Sequence, residues 1–141
     1  MESDGLKLPK KIPTSIITGF LGSGKTTILN EIINYKEFKN TLLIINEFGK
    51  ISIDHHLIKK KSDDKIVLNN GCLCCSFSGD LVKTLDDTLK LKKKFDRIII
   101  ETSGLADPIP IVQTIVSDQI ISEKIKFKSL ITVVDTVNFQ N

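Results

Sequence analysis

Residues Gly19-Phe20-Leu21-Gly22-Ser23-Gly24-Lys25-Thr26, GFLGSGKT, fit the pattern G-x-x-x-x-G-K-[ST]. They follow the β-branched run Ser15-Ile16-Ile17-Thr18. They precede a stretch, Thr27 to Tyr35, in which Ile28, Leu29, Ile32 and Ile33 recur at helical spacing. Strand, glycine-rich turn and helix in that order make an anion nest, because the glycines let successive backbone N–H groups curl inward while the helix aims its positive end at the same point. A turn that held no ligand would not require a lysine and a hydroxyl at its end. The stretch therefore reads as a phosphate loop. Gly19, Phe20, Leu21, Gly22, Ser23, Gly24, Lys25, Thr26 and Thr27 are its nucleotide-binding residues, with Lys25 bridging the β- and γ-phosphates and Thr26 ligating Mg²⁺.

Further along, apolar runs at Leu42-Leu43-Ile44-Ile45, Arg97-Ile98-Ile99-Ile100 and Leu130-Ile131-Thr132-Val133-Val134 alternate with helical stretches. Leu81, Leu85, Thr88 and Leu89 mark one such helix. A third is expected after Pro108 or Pro110, with Ile111, Ile115 and Val116 facing inward. This alternation predicts an α/β fold, the P-loop NTPase three-layer sandwich with a mainly parallel sheet. Residues 1–12 are polar and basic and read as a flexible tail, with one domain over 13–141 starting near Thr14. The segment Asn46 to Asn70 is long, charged and weakly periodic, the profile of a functional or mobile connection. The last strong run lies close to Asn141, which suggests a domain truncated on its C-terminal side.

Composition narrows the function classes. The chain is 40% hydrophobic and 26% charged with a net charge of +3, an ordinary globular balance. The lysine runs Lys59-Lys60-Lys61 and Lys90-Leu91-Lys92-Lys93-Lys94 have no interleaved aromatic residues, so they read as solvated surface rather than a nucleic-acid site. No apolar run is long enough for a membrane span and the start lacks an apolar signal core, so a cytoplasmic protein is expected.

Glu101 closes the third apolar run, where P-loop proteins place the carboxylate that orients Mg²⁺. Glu101-Thr102-Ser103-Gly104 also has the spacing of the D-x-x-G signal, with the Gly104 N–H sensing the γ-phosphate. Asp135 is a rival acidic strand end. Glu47 and Asp54, after the second strand, are candidate ligands for Mg²⁺ or a second metal, and Glu101 and Asp54 are candidates to position the attacking water.

All three cysteines fall within Cys72-Leu73-Cys74-Cys75. An odd number with two adjacent makes a poor disulfide framework, so a reducing compartment and thiolates for a borderline metal such as Zn²⁺ fit better. One short loop of this kind does not complete a rigid four-ligand site, which suits a metal that must leave. Further donors could come from Glu47, Asp54, His55 and His56. Buried structural cysteines and a thiol redox device are the competing readings.

Taken in order, Gly19 to Thr27, Asn46-Glu47-Phe48-Gly49, Gly71 to Cys75 and Glu101 to Pro108 resemble the CobW-type metallochaperone GTPases, related to HypB and UreG. The resemblance runs from about Ile12 to Val137. It implies a GTPase that binds Mg²⁺ and GTP at the phosphate loop and carries Zn²⁺, Co²⁺ or a related ion on Cys72, Cys74 and Cys75 to a client metalloprotein. The family often has an acidic residue after Asn-Glu-Phe-Gly where this chain has Lys50, which puts one carboxylate ligand in doubt. No N-K-x-D guanine-reading motif follows, so guanine preference rests on the resemblance. Two alternatives remain open: an ATP-dependent kinase or ATPase with a structural zinc loop, and a zinc storage or sensor protein. The oligomeric state, a homo-oligomer included, is not legible.

Overall fold

The computed structural model describes residues 10–46, 58–62, 65–68, 73–76 and 80–138. The elements run β1 (Ile12–Thr18), α1 (Lys25–Ile32), β2 (Thr41–Ile45), β3 (Ile58–Ser62), β4 (Lys65–Leu68), β5 (Leu73–Ser76), α2 (Leu81–Leu89), β6 (Arg97–Glu101), α3 (Ile109–Ser117), α4 (Gln119–Lys124) and β7 (Ile125–Thr132). One seven-stranded sheet has the order β3-β4-β5-β2-β6-β1-β7. Every pairing from β5 to β7 is parallel, and β4 is antiparallel to both of its neighbours.

Two apolar clusters make the three layers, and strand alternation sorts residues between them. Ile16, Leu42, Ile44, Ile98 and Ile100 pack on one face against Leu81 and Leu85 of α2, Ile111 and Ile115 of α3 and Ile121 of α4. Their immediate neighbours Ile17, Leu43, Ile45 and Ile99 pack on the other face against Leu29 of α1 and Ile33 just beyond it. Because β2 and β6 are covered on both sides, they read as unbroken apolar runs.

Local chemistry sets the helix starts. Asp80 Oδ1 accepts from Lys83 N at 3.0 Å and Asp118 Oδ1 from Ile121 N at 2.9 Å, capping α2 and α4. Helix α1 has no side-chain cap: Gly24 precedes it in the left-handed region at φ 98°, leaving the first-turn N–H groups to a ligand.

Several expectations shift. Strand β1 takes in Ile12 and Pro13, so the fold begins before Thr14. Val116 is exposed, since α3 turns Ile111, Ile115 and, in part, Val112 to the core. Ile28 is exposed too, while Leu29 and Ile33 carry the packing of α1. Strand β7 begins at Ile125 and ends at Thr132 rather than covering 130–134. As an edge strand it sends Lys126 and Lys128 outward at alternate positions, which interrupts the apolar run. The segment 46–70, expected to be irregular, contributes β3 and β4, and the lysine run 59–61 lies on the outermost strand, where lysine discourages edge pairing.

Asp86 on α2 joins Lys90 one turn on and Lys124 on α4. The Lys124 hydrogen bond first, then Lys90, holds its carboxyl below the ordinary 3.8. A carboxylate whose pKa is lower folded than unfolded stabilises the fold above its unfolded pKa, and that contribution disappears as pH falls through the folded value. Asp86→Asn is therefore expected to lower the thermal midpoint at neutral pH, with the gap to wild type narrowing as pH falls from the ordinary carboxylate range through the folded value. Circular-dichroism melts across that range check it.

Candidate functional site

Strand β1 lies between β6 and β7, and its chain reverses into α1 at the carboxyl edge of the sheet, the position where open α/β sheets take ligands. Gly19, Gly22 and Gly24 have φ of 146°, 75° and 98°, which a side-chain-bearing residue adopts only with strain. Gly19 is also confined by space, since a Cβ there would stand 2.3 Å from Val133 O on β7's continuation. Lys25 Nζ donates to Gly19 O at 2.7 Å and to Phe20 O at 3.0 Å, so the buried ammonium is held within the loop. Phosphate oxygens are stronger acceptors than those carbonyls and can draw it across.

Glu101, at the end of β6, is buried, and its Oε1 accepts from Thr26 Oγ1 at 3.0 Å. Its backbone is fixed as well: Glu101 O accepts from Asn46 N at 2.9 Å. Gly104 follows in the turn beyond, so close to the phosphate loop that a Cβ would lie 2.5 Å from Leu21 N. A cavity of about 230 Å³ is lined by Leu21, Gly22, Gly24, Lys25, Thr26, Thr27, Glu101 and Gly104. A hydroxyl and a carboxylate in contact beside a lysine and a glycine nest have the donor set for a magnesium-bound polyphosphate: hard oxygen ligands for the ion, N–H groups and an ammonium for the phosphates. These residues fit the group they were read for.

Asp135 does not join them. Its Oδ1 accepts from Val137 N at 3.0 Å and Asn138 N at 3.3 Å, and its Oδ2 from Asn138 Nδ2 at 2.7 Å. The Asn138 side chain, followed by the two backbone donors, holds its carboxyl below the ordinary range. With its oxygens turned to its own loop, Asp135 lines a second, more apolar cavity of about 710 Å³ together with Phe20, Val133 and Val134. Leu21 and Gly22 border both cavities.

Of the cysteines, Cys74 and Cys75 lie on β5, beside β2, rather than in a loop. Cys75 is buried in the apolar cluster under α2, its sulfur 4.0 Å from Thr88 Oγ1. Expected as a metal ligand, Cys75 is in this conformation a packing residue. Cys72, Glu47, Asp54, His55 and His56 lie outside the described residues, as does Lys50. Among the described residues no group of three or more His, Cys, Asp or Glu side chains could hold a metal ion. Nor is any described helix long and apolar enough to cross a membrane.

The sheet order, the glycine nest and the Lys25, Thr26 and Glu101 geometry together define a protein of the P-loop NTPase fold. Its family is narrower. Residues 13–141 match the model of the CobW/HypB/UreG nucleotide-binding domain, and the chain belongs to that family. It is 40% identical over 131 residues to the zinc chaperone YjiA of Escherichia coli, aligning 90% of this chain with 41% of that protein. With the zinc-regulated GTPase metalloprotein activator 1 of Saccharomyces cerevisiae it shares 40% identity over 132 residues, 89% of this chain and 31% of the relative. The crystal structure of Zn(II)-bound YjiA GTPase from E. coli superposes with a TM-score of 0.63 at 38% identity, over 87% of this chain and 40% of that one. The chain thus spans less than half the length of these relatives.

The contact of Gly104 with Leu21 gives a direct test of the loop geometry. Gly104→Ala forces a methyl against backbone and is expected to cost about 1–3 kcal/mol of stability. It should also weaken binding of a fluorescent GTP analogue, whereas Ala106→Gly, two residues on, should leave that affinity intact. Thermal melts and a binding titration on both variants decide it.

Proposed function

We propose that the chain is the nucleotide-binding part of a GTP-hydrolysing metallochaperone that carries Zn²⁺, or Co²⁺, and hands it to a client metalloprotein. The observation that carries the reading is the Thr26 to Glu101 contact, which brings the hydroxyl of the phosphate loop and the acid of β6 together beside Lys25. The relatives named above as zinc chaperones and GTPases support the cargo and the base, both of which lie beyond the geometry of this chain alone.

In this reading the N–H groups of Gly22 to Thr27 and the N-terminus of α1 hold the β- and γ-phosphates. Lys25 leaves the carbonyls of Gly19 and Phe20 to bridge the same phosphates. Thr26 and Glu101 hold Mg²⁺, which supplies charge neutralisation of the transferred phosphoryl group when bound. The Gly104 N–H reports the γ-phosphate. Glu101 and Asp54 remain the candidates for orienting the attacking water. The larger cavity between Phe20 and Val134 leaves room for the nucleoside to extend from the phosphates.

The metal is cargo, and the C-x-C-C segment is its proposed carrier. Cys72 and Cys74, with Glu47 from the segment after β2, form the exchangeable set. Cys75 contributes its thiolate only if β5 shifts, since its sulfur is packed under α2. A structural role for Cys75 is the second reading that this burial favours. Such thiolates persist in a reducing compartment, which fits the cytoplasm and a soluble client better than a membrane or nucleic-acid partner.

Chelator-competition titration with Zn²⁺ tests the coupling. A non-hydrolysable GTP analogue with Mg²⁺ is expected to tighten zinc binding by about tenfold or more, ~1.4 kcal/mol of coupling. Cys74→Ser and Lys25→Ala should each abolish the gain, the first by removing a thiolate and the second by removing the nucleotide. Cys75→Ser should mainly lower the melting temperature. Equal zinc affinity with and without nucleotide would reduce the segment to a static metal or structural site.

A further inference from the structure

Thr18 is the last residue of β1, Thr102 is the first after β6, and the two stand one position beyond the register pair Ile17 and Glu101. Thr102 N donates to Ile17 O at 3.0 Å, continuing the ladder by one bond. The Thr102 hydroxyl, fully buried, then lies 3.0 Å from Thr18 Oγ1 and 3.4 Å from Ile17 O. Thr18's own carbonyl accepts from Val133 N at 2.8 Å on the opposite side. Side chains thus continue the strand pairing at the point where two loops diverge, the phosphate loop from Gly19 and the Ser103 to Gly104 turn. The two loops approach each other again at Gly104 and Leu21.

We propose that the Thr18 and Thr102 hydroxyl pair is a positioning device for the magnesium end of the nucleotide site. By fixing the origins of both loops it holds the Glu101 carboxylate on the Thr26 hydroxyl and the Gly104 amide over the phosphates. Neither threonine lines the cavity that holds Lys25, Thr26 and Glu101, so the pair acts through its neighbours. The device explains why a residue wedged between an acidic strand end and a glycine turn is a fully buried hydroxyl rather than an aliphatic of the same size. An aliphatic there would pack as well but would let the two loops slide. The inference rests on the magnesium-nucleotide reading of the site.

The test is a Mg²⁺ titration of fluorescent GTP-analogue binding in wild type, Thr102→Val, Thr102→Ser, Thr18→Val and the double valine variant, beside GDP affinity in excess EDTA. Thr102→Val is expected to raise the half-saturating Mg²⁺ concentration about tenfold, on the scale of one lost buried hydrogen bond. Its magnesium-free GDP affinity should stay within about twofold of wild type, because the glycine nest is untouched. Thr102→Ser should restore the wild-type Mg²⁺ response, and the double variant should be no worse than either single one, the non-additivity of a shared bond. Equal Mg²⁺ responses in wild type and the valine variants, equal shifts in valine and serine, or a parallel fall in EDTA would each overturn the proposal. If Thr102→Val does not fold, Thr18→Val and Thr102→Ser still give the comparison. A wild-type chain whose nucleotide binding ignores Mg²⁺ would overturn the underlying site reading as well, and that outcome is visible before any variant is made.

Discussion

Strand β1 is hydrogen-bonded on both sides, to β6 from Thr14 to Ile17 and to β7 from Ile12 to Thr18. Its last carbonyl is taken by Val133 N, and the preceding one, of Ile17, by Thr102 N. A strand gripped this way cannot slide, so the residue that follows it has one place to go. Gly19 fills that place because Val133 O leaves no room for a Cβ. The phosphate loop, the N-terminus of α1 and the contact of Thr26 with Glu101 all inherit their geometry from that grip.

The sheet provides it through asymmetric burial. β2 and β6 are packed between two helical layers, and the strands' alternation sends Ile98 and Ile100 one way and Ile99 the other. Slipping β6 by one residue would exchange those sets and bring Glu101 out of line with β1, so the register that buries the core also sets the site. Packing and chemistry are specified by the same residues.

Much of this is legible in the sequence, for physical reasons. The loop pattern needs glycine where φ is positive and a lysine and hydroxyl where phosphate and Mg²⁺ bind, so Gly19 to Thr26 can be read without coordinates. Glu101 is legible because an acidic side chain at the end of three isoleucines calls for a partner. What is hidden is tertiary. Cys75 looks like its neighbours in a thiol-rich stretch, and only the pairing of β5 with β2 places it in the core under α2. Asp135 looks like a second acidic strand end, yet Asn138, three residues on, takes its carboxylate. The edge strand β7 is masked by Lys126 and Lys128, and Val116 has the right spacing but faces outward on α3. The hydroxyl pair of Thr18 and Thr102 carries no sequence pattern at all, because the two residues are joined only by β1 lying beside β6.

The central claim is that Thr26 and Glu101 are brought together to hold a magnesium-bound triphosphate. Calorimetric titration of the chain with a non-hydrolysable GTP analogue, with and without Mg²⁺, on wild type and Glu101→Gln tests it most directly, since glutamine keeps the shape and an acceptor for Thr26 while removing the charge. The account predicts that Mg²⁺ tightens binding to the wild type by about tenfold or more and does little for the variant. Equal affinities with and without Mg²⁺ in the wild type, or an undiminished magnesium effect in Glu101→Gln, would contradict it.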